Sequence, residues 1–376
     1  MRSPAKLACI VLLLAGGAAS ACSSSSPADA PAGPSGDPDA STTPDGATED
    51  DAGTPGTDGG AKGELPTCLG AELPLAITTG PHVSLAVGAA PSPYVGSFLV
   101  DYATTGSTID LSVFAAPGPT ATQCNPQILG QLCTFADLDL FGPRGQVTLR
   151  TSSATILGTD FLSLGVYALD YTKKRMLHAT SKGSPCSDAA LATAGLAPLS
   201  TAGFFASDLS LLKPQKDVEA SAPGGLQVAN VPVVPVKIAG TAALAQLDTG
   251  FDDAVVPHSI NVNVAFFDAV SAAAPGALVR DAAKDVSLST CAGVSEPAEA
   301  YHLAPGRAFE LVDTSGAIAR SWTSATVFVK RTPAAALQCG GIGTWSVPAA
   351  QIGSWFFADL GALVFDPFSS RVWVGR

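Results

Sequence analysis

From Leu65 to the C-terminus the apolar positions fall into short runs separated by Gly, Pro, Ser and Thr. Runs of that length, bounded by turn-forming residues, read as β-strands. Residues 82–87, 97–101, 109–114, 138–141 and 146–149 fit this description in the first half of the chain. Helical periodicity is scarce, and residues 188–194 and 262–273 are the two stretches that predict helices. The pattern predicts a mostly β body with short helices.

The most informative stretch lies in the second half. A β-prone run at 231–238 is followed by a turn at Gly240 and a second strand at 242–247, which ends in Asp248-Thr249-Gly250. Glycine permits a tight turn there, and the threonine hydroxyl can bond neighbouring backbone. Such a turn aims a carboxylate into a cleft. The plain alternative is an acid that caps its own turn by accepting backbone N–H groups.

An internal repeat gives the tripeptide more weight. In the first half, Thr104-Thr105-Gly106 follows the strand at 97–101, and Ile156-Leu157-Gly158 comes later. In the second half, Gln351-Ile352-Gly353 follows Asp248-Thr249-Gly250. Gly158 lies 12 residues before Asp170, and Gly353 lies 13 before Asp366. Each aspartate is followed five residues later by an arginine, Arg175 and Arg371.

Taken together, these landmarks resemble the pepsin-like and retropepsin-like aspartic peptidases over roughly residues 65–376. The resemblance implies a bilobal, pepsin-like double β-barrel with pseudo-twofold symmetry. Its lobes would span 64–204 and 205–376. Each lobe would carry an Asp-Thr-Gly turn and an apolar-apolar-Gly segment threaded beside it. The family's reaction uses two carboxylates that share one proton across a water. Carried over, Asp248 matches one of them and Thr104 stands where the other is expected. Thr105, Gly106, Thr249 and Gly250 match the rest of the two turns, with Gly158 and Gly353 beside them. The resemblance also implies that Thr105 and Thr249 hydrogen-bond across the lobe interface. Four acids come into question as replacements. Asp101 is three residues upstream on the same strand, which predicts the opposite face. Asp110 lies past the turn, and Asp252 and Asp253 follow Asp248. The family's flap would fall at residues 141–145, which also read as an ordinary hairpin turn.

Composition restricts the other chemistries. His82, His178, His258 and His302 show no metal-ligand spacing, His258 reads as a surface residue, and G-x-S-x-G, H-E-x-x-H and C-x-x-C are absent. No cofactor or metal is expected. Residues 1–21 carry Arg2 and Lys6, an apolar run and a small-residue end, which is a secretory signal. Ala19-Ser20-Ala21-Cys22 resembles a lipobox, with Cys22 lipidated; it also fits an ordinary A-x-A cleavage site. Residues 22–63 form an acidic linker rich in Ser, Pro, Gly and Asp, without aromatic residues. Its acids supply most of the net charge of −12, so the folded body is only mildly acidic and offers no basic patch for nucleic acid. Six cysteines remain for an exported body. Proximity favours Cys124–Cys133, Cys291–Cys339 would sit within the second half, and Cys68–Cys186 is left to tie the first half together. Free buried thiols are the alternative.

With Thr104 opposite Asp248, the sequence reading is an aspartic-peptidase-like lipoprotein of the bacterial outer membrane, periplasmic or cell-surface. It would be monomeric and without hydrolytic activity, and it would bind a peptide or polypeptide between the lobes. One alternative is an active endopeptidase in which a nearby acid or a second chain completes the pair. The other is an envelope scaffold without a ligand.

Overall fold

The computed structural model describes residues 63–376, apart from 74, 78–82, 87–95, 117, 127–129, 136–137, 139–146, 180, 182, 207–229, 252–255, 290–292 and 340. The signal sequence, Cys22, nearly all of the linker, the flap turn, His82, Asp252, Asp253 and Cys291 therefore lie outside the described residues.

The chain is mostly β and bilobal, and its strand pairings repeat. In the first half, Ser97–Val100 runs parallel to Ile156–Leu157, which is antiparallel to Thr108–Ile109, which is parallel to Val147–Thr151. In the second half, Thr241–Leu247 runs parallel to Ala349–Ile352, which is antiparallel to Ser259–Asn263, which is parallel to Thr326–Lys330. The same order of parallel, antiparallel and parallel pairings in both halves is the pseudo-twofold relation.

A six-stranded sheet joins the halves. At its centre Val166–Asp170 pairs antiparallel with Ala362–Asp366. Outside these lie Arg175–Ala179 and Arg371–Gly375, and at the edges Ala71–Leu73 and Leu196–Ser200. Leu196–Ser200 therefore holds the place equivalent to Ala71–Leu73 and pairs with the last strand of the second half. The five-residue spacing from aspartate to arginine is the width of a hairpin turn: Asp170 faces Arg175, and Asp366 faces Arg371. Every residue of Ala362–Asp366 is buried, as befits a strand covered on both faces. One apolar cluster runs through both halves, including Phe98, Tyr167, Phe309 and Phe365. Each such side chain contributes about 1.5–3 kcal/mol when fully buried.

Two expected elements end differently. The helix expected over 262–273 begins at Val264, because Ser259–Asn263 is a strand and the Asn263 side chain caps the helix by accepting from the Phe266 N–H. Such a cap satisfies an orphan donor of the first turn. The strand expected over 109–114 stops at Ile109, where Asp110 accepts from the Ser112 N–H and turns the chain into a short 3-10 turn. Cys68–Cys186 and Cys124–Cys133 are disulfide-bonded. Among the described residues no helix is long and apolar enough to cross a membrane.

Candidate active site

The register of the parallel pairs decides which residues correspond. Leu247 faces Ile352, so Asp248 stands beside Gly353, and the Asp248 N–H donates to the Ile352 carbonyl at 3.1 Å. Val100 faces Leu157, so Asp101 stands beside Gly158, and the Asp101 N–H donates to the Leu157 carbonyl at 3.0 Å. Asp101 is thus the counterpart of Asp248. The matching turns are Asp101-Tyr102-Ala103-Thr104 and Asp248-Thr249-Gly250-Phe251.

This corrects the expectation that Thr104 occupies the place of a missing acid and that Asp101 points to the other face. Side-chain alternation holds only while the strand continues. The strand ends at Val100 and a turn follows. Within that turn Thr104 folds back, and its hydroxyl donates to Asp101 Oδ2 at 2.5 Å.

The two carboxyls are built alike. Asp101 Oδ1 accepts from the Ala103 N–H at 2.7 Å, and Asp248 Oδ1 accepts from the Gly250 N–H at 2.9 Å. Asp101 Oδ2 is held by the Thr104 hydroxyl. The second motif has Phe251 at that position, and Asp248 Oδ2 instead accepts from the side-chain amide of Gln351. Asp101 lies against the turn of the other lobe, where a Cβ on Gly250 would come within 2.8 Å of Asp101 Cγ. Gly250 is required by that approach. Gly158 is required likewise, since a Cβ there would sit 2.7 Å from the Thr104 carbonyl. Gly106 meets nothing within 4 Å and is not sterically required. Gly353 begins the helix Ser354–Leu360, as Gly158 begins Thr159–Leu162, and Ser354 Oγ donates to the Thr249 carbonyl.

Only one threonine of the expected pair bridges the lobes in this way. Thr249 Oγ1 donates to the Val100 carbonyl at 2.7 Å and accepts from the Tyr102 N–H at 3.1 Å. Its counterpart by register is Tyr102, whose ring stacks on Phe365, and not Thr105. The Thr105 carbonyl accepts from the Asp160 N–H within its own lobe.

Asp101 and Asp248 are 6% and 4% exposed, and Asp101 lies against Gly250, two residues from Asp248, so the two carboxyls are close neighbours across the lobe interface. Burial holds Asp248 well above the ordinary aspartate value of 3.8, and the neighbouring Asp101 charge pushes the same way. The Gly250 N–H and the Gln351 amide oppose this rise. Burial also raises Asp101, against the Thr104 hydroxyl and the Ala103 N–H. Like charges this close do not both ionise readily, so the arrangement favours a pair carrying one proton, whose titration belongs to the pair.

The other acids and the described histidines stand apart. Asp110 accepts from Ser112 in its own exposed turn. His258 is half-buried, bonds Asp359 at 2.8 Å, and so is not a plain surface residue. His178 is buried and stacks on Tyr167, and His302 is exposed on its strand. Among the described residues no group of three His, Cys, Asp or Glu side chains is placed to hold a metal.

Asn261 escaped the sequence reading, and Gln351 entered it only as part of the threading segment. Their polarity at inward-facing strand positions was the available signal.

No family model matches the sequence, and no curated protein matches it. Among solved structures the chain is similar to the crystal structure of EDGP, with 11% identity, 81% of this chain and 94% of that chain covered, and a TM-score of 0.39. It is also similar to the crystal structure of Basic 7S globulin from soybean, with the same identity and coverage and a TM-score of 0.36. At these identities and scores the likeness carries no argument about function.

Proposed function

We propose that the protein is an aspartic endopeptidase whose catalytic pair is Asp101 and Asp248. The observation that carries this reading is the close approach of two buried carboxyls on symmetry-related turns, Asp101 lying against Gly250 beside Asp248. In the proposed reaction Asp101 takes a proton from a water as the water oxygen bonds to the peptide carbonyl carbon. Asp248 gives its proton to the carbonyl oxygen, forming a gem-diol. Collapse of the gem-diol breaks the C–N bond: a diol hydroxyl returns a proton to Asp248, and Asp101 passes its proton to the leaving nitrogen. The pair ends with one proton on Asp248, as it began, and no covalent intermediate forms. General acid–base catalysis of this kind is typically worth 10²–10⁴-fold, roughly, per group.

The membrane side of the proposal comes from residues 1–62. Lipid on Cys22 would tether the body, through the acidic linker, to the bacterial outer membrane as a monomer facing the periplasm or the cell exterior.

The full-length protein is expected to cleave an unfolded polypeptide at acidic pH, with cleavage lost in both Asp101→Asn and Asp248→Asn. Wild-type protein without cleavage from pH 3 to 7 would reject the proposal. A second reading, peptide binding without hydrolysis, draws on the near-complete burial of both carboxyls. It is supported if a peptide binds saturably and is recovered intact.

A further inference from the structure

The two half-sites solve one problem with different chemistry. Asp101 Oδ2 is held by a hydroxyl, which can donate or accept. Asp248 Oδ2 is held by the Gln351 NH₂, which can only donate. The Gln351 amide is itself oriented, because Asn261 Nδ2 donates to Gln351 Oε1 at 2.9 Å. Asn261 is buried and faces Gln351 across an antiparallel pair, and Gln351 faces Gln246 on the strand that ends in Asp248. A short chain of amides thus runs from Asn261 through Gln351 to Asp248. Among the described residues the equivalent first-lobe positions carry no such chain. There Thr108 faces Ile156, which faces Leu99.

We propose that Gln351 is a positioning residue for the dyad: its amide, aimed by Asn261, fixes the Asp248 carboxyl and reserves Oδ2 as an acceptor. With the Gly250 N–H on Oδ1, both Asp248 oxygens then face N–H donors, an arrangement that favours the ionised carboxylate. Asp101 has no such restriction, since the Thr104 hydroxyl can turn to accept from a protonated Oδ2. Gln351 therefore makes the two acids unequal, although the fold makes their turns alike. The groups facing Asp248 are the Gln351 amide, held in turn by Asn261, the Gly250 N–H and, from the first lobe, Asp101, which is the charged group acting on it. This inference deepens the endopeptidase reading and rests on it for its catalytic meaning.

The test is the titration of Asp248 in full-length protein with ¹³C-labelled aspartate, alongside the pH profile of cleavage. Gln351→Met removes the donor and is expected to move the Asp248 titration up by about one pH unit, tenfold in proton affinity. Gln351→Glu keeps the shape but offers oxygens in place of N–H groups, and is expected to move it further up. Asn261→Ala frees the amide to turn and is expected to give a smaller shift in the same direction. The basic limb of the cleavage profile should follow the same order. Asp248 titrating as in wild type in folded Gln351→Glu, or moving down in it, would overturn the inference, and Gln351→Glu settles the matter if Gln351→Met fails to fold. Because the NMR titration needs no turnover, a protein without cleavage would defeat the endopeptidase reading while still testing Gln351.

Discussion

The first-lobe turn is self-contained: Asp101, Ala103 and Thr104 supply the acid, its N–H donor and its hydroxyl within four residues. The second-lobe turn borrows, because Phe251 has no hydroxyl and the donor comes from Gln351, 103 residues away. The interface bonds are unequal in the opposite sense. Thr249 of the second lobe bridges to the Val100 carbonyl and the Tyr102 N–H, while Tyr102 contributes ring packing. Duplicated turns thus keep the geometry of a carboxyl pair while the supporting contacts drift between local and distant sources.

The largest expected effect separates Asp101 from Thr104. Asp101→Asn should cost cleavage on the order of a thousandfold, whereas Thr104→Val, which removes only a supporting hydrogen bond, should cost far less. Steady-state assays on one unfolded substrate at acidic pH compare the two. Equal losses would mean that the hydroxyl does the work assigned to the acid. Thr104→Asp should lower activity as well, because it places a further acid against Asp101.

A smaller effect tests the one-sided bridge. Thr249→Val leaves a buried carbonyl and a buried N–H without their partner. It should lower stability by about 1–3 kcal/mol, read from chemical denaturation. Thr105→Val, at the position expected from sequence to be equivalent, should change stability by much less.

The smallest effect concerns protons. Both acids have folded pKa values raised above 3.8. A raised value means that the stability contribution is full below the ordinary pKa and is lost as pH rises through the folded value. Stability should therefore fall from about pH 4 upward, and Asp101→Asn should flatten that decline. Asp248→Asn should help less by about 1 kcal/mol at neutral pH. An Asn at 101 can set its NH₂ against a hydroxyl that turns to accept. An Asn at 248 must set it against the Gln351 amide or the Gly250 N–H, which are both donors. Denaturation curves at pH 4 and 7 measure the difference.

Much of this was legible in the sequence. The glycine-to-aspartate and aspartate-to-arginine spacings are real hairpins and threading segments, since hairpin width and strand register are local properties. Cysteine proximity pointed to Cys124–Cys133, and Cys68–Cys186 was the pairing left within the first half; both are disulfide-bonded. The alignment of the first turn was not legible. Thr-Thr-Gly looks more like Asp-Thr-Gly than Asp-Tyr-Ala-Thr does, and only the pairing of Val100 with Leu157 shows which residue follows the strand end. Gln351 was equally hidden as a partner of Asp248, because the contact depends on a parallel pair formed between distant segments.

The most direct measurement of the central claim is the ¹³C titration of Asp248 in wild type, Asp101→Asn and Thr104→Val. If Asp101 and Asp248 share a proton, Asp248 titrates above the ordinary aspartate range in wild type, falls toward it in Asp101→Asn, and stays high in Thr104→Val. An Asp248 titration unchanged by Asp101→Asn would contradict the pairing.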